Sequence, residues 1–157
     1  MIIGVVSDTH GLLRSEVLPL LAGADHILHL GDVGDPEILG KLTTIAPVTA
    51  IRGNIDTHGP CAHLPETEVA TLAGHHFYML HDIHQLDLDP AAAGFSAVVY
   101  GHSHKPEIRQ HKGILYMNPG SCGPRRFQLP ITCARVTIHE NGQLAAEILQ
   151  LPITRTN

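Results

Sequence analysis

Apolar residues in this chain fall in short unbroken runs rather than long alternations. Ile2-Ile3-Gly4-Val5-Val6, Ile27-Leu28-His29-Leu30, Val48-Thr49-Ala50-Ile51, Phe77-Tyr78-Met79-Leu80 and Ala97-Val98-Val99-Tyr100 read as strands. The absence of alternation in residues 2–6 marks a central strand covered on both faces. Between the first three runs the period becomes helical. Residues 15–21 predict a short helix with Ser15 as N-cap and Gly23 ending it, tolerable only if Pro19 lies in its first turn. Pro36 opens a second helix at its first position, Glu37 favours the positive end, and Ile38, Leu39, Leu42 and Ile45 give it an apolar face. A βαβαβ opening with short connections implies a parallel sheet built from right-handed crossovers.

The pattern changes after residue 57. Residues 57–65, with Gly59, Pro60 and Pro65, read as loop. Residues 69–72 and 75–80 form a hairpin around Ala73-Gly74. Asp89-Pro90 begins a short helix that runs through Ala93 and stops at Gly94. A second hairpin joins residues 108–110 and 114–117, and a third joins 133–139 and 144–149 around the strong turn signal Asn141-Gly142. No repeat, low-complexity tract or linker interrupts the chain, so residues 1–157 are expected to form one domain. An α/β half followed by hairpins suits two sheets packed face to face with helices outside.

Composition narrows the function classes. A chain of 157 residues buries roughly 68–70% of its unfolded surface, and 43% hydrophobic content with mean hydropathy +0.08 is that of an ordinary globular protein. Net charge −5 offers no basic surface, so nucleic acid is not an obligate partner. No apolar stretch is long enough to span a membrane, and the N-terminus resembles no signal peptide. Cys61, Cys122 and Cys133 show no Cys-x-x-Cys spacing, which points to a reducing compartment and a cytoplasmic location. The 13 histidines are the outlier.

Each of the five runs ends in groups able to bind a metal. They are Asp8-Thr9-His10, Gly31-Asp32, Gly53-Asn54-Ile55-Asp56, His81-Asp82 and Gly101-His102-Ser103-His104. Loops beyond the carboxyl ends of parallel strands face a common crevice. Carboxylate, amide oxygen and imidazole together suit manganese, iron, zinc, cobalt or nickel. Seven ligands (Asp8, His10, Asp32, Asn54, His81, His102 and His104) exceed one tetrahedral centre. They match two ions roughly 3.5–4 Å apart sharing a carboxylate, for which Asp32 is the best candidate. Taken singly, each motif has an ordinary explanation as a helix cap or turn; the argument lies in their coincidence at five strand ends. The remaining histidines are assigned structural roles, with His84 the one to watch. Cys122 has no neighbouring base and is not a nucleophile, and the His81-Asp82 pair ends a strand, unlike the helical HD phosphohydrolases.

These motifs, with Asn118-Pro119-Gly120-Ser121, resemble the calcineurin-like metallophosphoesterases from residue 1 to about residue 149. More narrowly, the chain resembles the small phosphodiesterases of the YfcE type, relatives of the retromer subunit Vps29. The resemblance implies an α/β fold, a four-layer α/β/β/α sandwich of two mixed sheets flanked by helices. It implies that Asp8, His10, Asp32 and His104 hold one divalent ion and that Asp32, Asn54, His81 and His102 hold the other, manganese first among the metals. The implied reaction is hydrolysis of small phosphodiesters through in-line attack by a hydroxide shared between the ions. Asn54 and His102 would lie nearest the phosphate, and Arg126 or its neighbour Arg125 would contact the substrate. Two departures stand out. Ile55 occupies a position where many members carry a histidine that assists the leaving group, which favours esters with good leaving groups or another acid such as His84. Asp82 replaces a usual glycine and could support a ligand or point outward. The alternative is a Vps29-like interaction platform with a vestigial or structural metal site. A metallo-β-lactamase-type hydrolase would need a His-x-His-x-Asp-His run, which is absent. The expected partner is a small phosphoester, with no membrane and with homo-oligomerisation left open.

Overall fold

A computed structural model describes residues 1–153, so the last four positions of the expected 1–157 domain lie outside the described residues. The elements run β1 (Ile2–Val6), α1 (Val17–Leu20), β2 (His26–His29), α2 (Pro36–Thr43), β3 (Val48–Ala50), β4 (Thr67–Leu72), β5 (His75–Leu80), β6 (Ala97–Val99), β7 (Glu107–His111), β8 (Ile114–Asn118), β9 (Thr132–Ile138) and β10 (Leu144–Gln150). Short 3₁₀ turns occupy Pro60–His63 and Ile83–Gln85. Two five-stranded mixed sheets result, in the orders β10-β9-β1-β2-β3 and β4-β5-β6-β8-β7. Strands β1, β2 and β3 are parallel, as are β5, β6 and β8, and the hairpins add antiparallel strands at the edges.

The doubly covered β1 explains its unbroken hydrophobicity. Ile3 and Val5 pack between the sheets against Phe77, Met79, Val99 and Met117, while Val6 joins the opposite layer with Val17, Leu21, Ile38 and Leu42 beneath the helices. Each such fully buried side chain contributes about 1.5–3 kcal/mol. The α2 helix begins as its sequence predicts, with the Asp35 carboxylate accepting from the Glu37 N–H at 3.0 Å and Pro36 at its first position. Helix α1 is shorter than predicted: it starts two residues past Ser15 and makes a single turn holding Pro19, and its cap, Glu16, makes no side-chain bond.

The outer face of the second sheet presents Tyr78, Leu80, Val98, Tyr100 and Tyr116. Ile83, Leu86, Leu88 and Phe95 cover it, with Phe95 stacked on Tyr78 at 5.0 Å. This fourth layer is therefore a strap with one 3₁₀ turn rather than a long helix. The helix predicted from Asp89 forms only one turn, closed by Ala93 N–H to Asp89 C=O at 3.0 Å. Four residues before Gly94, at φ +81°, are too few to offset the cost of helix nucleation. No helix among the described residues is long and apolar enough to cross a membrane.

Candidate metal centre

Beyond the ends of β1 and β2, two loops are joined by backbone hydrogen bonds: Asp8 N–H to Gly31 C=O at 3.0 Å, His10 N–H to Asp32 C=O at 2.9 Å and Gly11 N–H to Val33 C=O at 2.9 Å. From the other sheet, Gly101 N–H bonds to His81 C=O at 3.0 Å and His102 N–H donates to Asp8 Oδ2 at 3.1 Å. Asp8 Oδ2 also accepts from Ser7 Oγ at 2.7 Å, and Asp32 Oδ1 accepts from Ile55 N–H at 3.0 Å. One oxygen of each carboxylate is thus occupied and the other is left facing the crevice.

Around those oxygens the imidazoles converge. Asp8 Oδ1 lies 3.6 Å from His10 Nε2, 3.7 Å from His81 Nε2 and 3.4 Å from His104 Nε2. Asp32 Oδ2 sits 3.4 Å from His10 Nε2 and 3.2 Å from His81 Nε2. His81 Nδ1 donates to Leu30 C=O at 2.7 Å, which leaves Nε2 as the ring's lone-pair atom. Five buried polar atoms have no partner: Asp8 Oδ1, His10 Nε2, His81 Nε2 and both ring nitrogens of His104. An unsatisfied buried polar group costs about 1–3 kcal/mol, so their concentration in one crevice calls for an occupant. Two overlapping donor groups, Asp8-His10-His104 and Asp8-Asp32-His81, each have their ligand atoms within 4.8 Å of one another. Anionic oxygens beside imidazole lone pairs fit a borderline divalent cation.

Asn54 and His102 form the rim. Both are exposed, and Asn54 Oδ1 meets His102 Nδ1 at 3.1 Å. The His102 ring stands edge-on to His81 with centroids 5.2 Å apart. Its Nε2 lies 4.0 Å from Asp82 Oδ2, so Asp82 faces the rim, and its other oxygen caps the 3₁₀ turn through His84 N–H at 3.0 Å.

The backbone explains the spacing of the motifs. Asp8, His10, Asp32, His102 and His104 have φ of 56°, 45°, 54°, 71° and 63°, in the left-handed region. Each costs about 1–2 kcal/mol for a non-glycine residue and persists because the surroundings over-determine it. Glycines before the ligands allow close approach. A Cβ on Gly53 would fall on the Asp32 carboxylate, and one on Gly101 would fall on Ser7 Oγ. At Gly31, φ +100°, it would lie 2.7 Å from His81 Nδ1.

Burial raises the Asp8 carboxyl, but His10, His104, His81 and Ser7 outweigh it and hold the group well below the usual carboxylate range. Asp32 is likewise lowered, since the contacts from His81 and Ile55 N–H exceed the effect of burial. His81 is raised: burial lowers it, but Asp32 and Asp8 prevail.

Several supporting residues carry no single-residue signal in the sequence. His29, fully buried, is pushed down to about 4 by desolvation. Its Nδ1 accepts from Gly31 N–H at 3.2 Å and its Nε2 meets Thr9 Oγ1 at 3.0 Å, so it props the Asp8 and Asp32 loops as a neutral ring. Asp56 accepts from the N–H groups of Val33, Gly34 and Gly53 at 3.1, 3.0 and 2.9 Å and ties the loops after β2 and β3 together. Asn118 donates to Gly101 C=O at 3.0 Å and Ser103 Oγ at 3.1 Å, while Ser121 Oγ donates to Asp8 C=O at 2.8 Å. Asp56, Asn118 and Ser121 belong to the quoted motifs, but only the fold reveals what they brace. Arg126 lies on the exposed segment 124–128; the arginine lining the cleft beside the cluster is Arg52. Cys122 is fully buried with its thiol pushed up, in keeping with a structural role.

Two mixed sheets carrying carboxylates and imidazoles at their shared edge define a metallophosphoesterase-like α/β protein. Residues 1–141 match the family model of the calcineurin-like phosphoesterase superfamily domain, and the chain belongs to that superfamily. It is 33% identical over 171 residues to a probable metallophosphoesterase of Methanothermobacter thermautotrophicus, covering 99% of this chain and 97% of that protein. It is 31% identical over 140 residues to the phosphodiesterase YfcE of Escherichia coli, covering 73% of this chain and 76% of YfcE. A structure of Vps29 from Entamoeba histolytica complexed with Zn²⁺ shares the fold at a TM-score of 0.72 and 22% identity, covering 96% of this chain and 99% of that one. The superfamily uses divalent metals, and the donor groups at the crevice are of the type that binds them.

Proposed function

We propose that this chain is a phosphodiesterase that depends on two divalent ions, manganese first among them, and acts on small phosphodiesters. The observation that carries the reading is the set of five orphaned buried atoms, Asp8 Oδ1 and four imidazole nitrogens, gathered in one crevice with Asp32. Asp8, His10, Asp32 and His104 would hold one ion, and Asp32, Asn54, His81 and His102 the other. Such ions supply a nucleophile at neutral pH and neutralise charge on the phosphoryl group. The chain's own residues set the stage. Ser7 Oγ and the His102 N–H hold one oxygen of Asp8, Ile55 N–H holds one oxygen of Asp32, and Leu30 C=O fixes the His81 tautomer. Asn54 and His102 stand at the exposed rim, where a phosphoryl oxygen enters.

Two of the cavities that border the cluster support a diester. One, of about 710 Å³, is bounded by Asn54, His81 and His102. The other, of about 390 Å³, is bounded by His10, Pro36, Ile55 and Pro60. Each gives room to one ester arm. Ile55 is 37% exposed at the second cavity and has no proton to give, so alcohols that leave without protonation should react fastest. The test is hydrolysis of bis(p-nitrophenyl) phosphate against p-nitrophenyl phosphate with added manganese, with bound metal measured on the same protein. Faster turnover of the diester is expected; no turnover with any divalent ion at full occupancy ends the enzyme reading.

An interaction platform is the second reading, favoured by Phe127, which is 86% exposed beside Arg125 and Arg126. Asp8→Asn separates the two: a platform keeps its partner, whereas an esterase stays folded and loses turnover.

A further inference from the structure

The smaller cavity holds a single available proton. Four titratable side chains line it, His10, Asp56, His58 and Cys61, and three of them are spent. His10 turns Nε2 to Asp8 Oδ1 and Asp32 Oδ2, at 3.6 and 3.4 Å, and belongs to the metal cluster. Asp56 accepts from three backbone N–H groups and has no proton to give. Cys61 is buried, and burial together with Asp56 and Asp35 pushes its thiol up, which makes it a poor acid. Ile55, in the same wall, carries no exchangeable proton. His58 remains.

The chain braces this histidine on both sides. Before it, Asp56 is tied to the loops after β2 and β3, and Thr57 N–H donates to Ile55 C=O at 2.9 Å. After it, Gly59 takes φ +71° and ψ −167°, a region open in practice to glycine alone. Pro60 then opens a 3₁₀ turn, in which Ala62 N–H donates to Gly59 C=O at 3.1 Å. Thr57 Oγ1 lies 3.2 Å from His58 Nδ1. A hydroxyl oxygen accepts as well as donates, so Nδ1–H bonded to Thr57 leaves Nε2 as the nitrogen that exchanges a proton. An ester arm in a cavity of about 390 Å³ lies against its walls, and His58 is one of them. The other exposed histidine near the cluster, His84, borders a separate cavity and has its Nδ1 bonded to Asp82 Oδ1 at 3.0 Å.

We propose that His58 is the acid that protonates the leaving oxygen of the ester arm in the smaller cavity, an inference that rests on the phosphodiesterase reading above. The P–O bond to that arm breaks and its electron pair stays on the arm's oxygen. The Nε2 proton goes to the same oxygen, so the arm departs as a neutral alcohol. Water supplies the oxygen that replaces it on phosphorus and releases a proton to solvent, from which the exposed His58 is recharged. Methyl p-nitrophenyl phosphate and methyl phenyl phosphate test the step. They share one arm, and only the first has a phenol that departs readily as an anion. With manganese-loaded protein, the ratio of kcat/KM for the nitrophenyl ester to that for the phenyl ester should be roughly 10²-fold larger in His58→Asn than in wild type, with bound metal and Tm measured on the same samples. The same substitution at His84 should not raise the ratio. In zinc-loaded protein, diethyl phosphate, an unreactive diester, should shift the ring-proton NMR signals of His58. Those of His139, which follows Ile138 beside Met1 at the other end of β1, should stay in place. A ratio equal to wild type in His58→Asn, a ratio raised by His84→Asn instead, or no shift at His58 overturns the assignment and leaves the hydrolase standing. No turnover of either ester by wild-type protein removes both readings.

Discussion

The inner and outer halves of the cluster are built differently. Asp8, Asp32, His81 and His104 are buried with free ligand atoms, and hydrogen bonds hold Asp8, Asp32 and His81 in place before any ligand arrives. Asn54 and His102 are exposed and bonded to each other. The inner half concentrates the cost of unsatisfied groups and left-handed backbone; the outer half carries less and can open toward a substrate. Orphaned donors thus sit where rigidity is needed, and exposed, mutually bonded side chains where access is needed. In a metal titration the two halves should differ, the inner ion binding first and more tightly.

Asp32 stands in the ligand sets of both ions, so Asp32→Asn should have the largest effect. Turnover should fall by roughly 10²–10³-fold or more, and elemental analysis should show loss of both ions; full metal content would break the idea of a shared carboxylate. The next effect tests the support under the inner half. His29 is held near 4 against an ordinary 6.5, so the unfolded chain binds a proton that the folded chain refuses. This contribution leaves stability intact above 6.5 and erodes it as pH falls toward 4, by about 3 kcal/mol over the window. Urea unfolding of metal-free protein at several pH values should show a shallower acid loss in His29→Gln than in wild type. Gly53→Ala should cost about 1–3 kcal/mol by forcing a methyl against Asp32, read as a lower Tm and weaker metal binding together. Smallest for the fold is Asn54→Ala, expected to leave stability within about 0.5 kcal/mol while one of two ions is lost. If it destabilises as much as Gly53→Ala, the two halves are not distinct.

Legibility followed the range of the forces involved. The unbroken run at 2–6 told of burial on both faces, and Pro36-Glu37 placed α2, because these are local or periodic signals; the Asp35 cap came to light only in the structure. The helix predicted from Asp89 stops after one turn because propensity over four residues cannot offset nucleation, and its exposed alanines, Ala91 to Ala93, bring no packing to support it. Ser15 did not cap because the single turn of α1 begins after it. Arg126 is near the Asn118-Pro119-Gly120-Ser121 motif in sequence only, whereas Arg52, far from that motif in sequence, lines the cleft.

By itself the sequence determined which residue types end each strand, since strand, turn and cap preferences act over a few neighbours. It could also show that seven metal-capable groups recur at those ends. Only the tertiary structure decided that one oxygen of each aspartate is occupied and the other free, and that His29, Asp56 and Asn118 brace the loops. Those facts depend on contacts between residues as far apart as Asp8 and Ser121, and such pairings are set by how two sheets pack, not by any local preference.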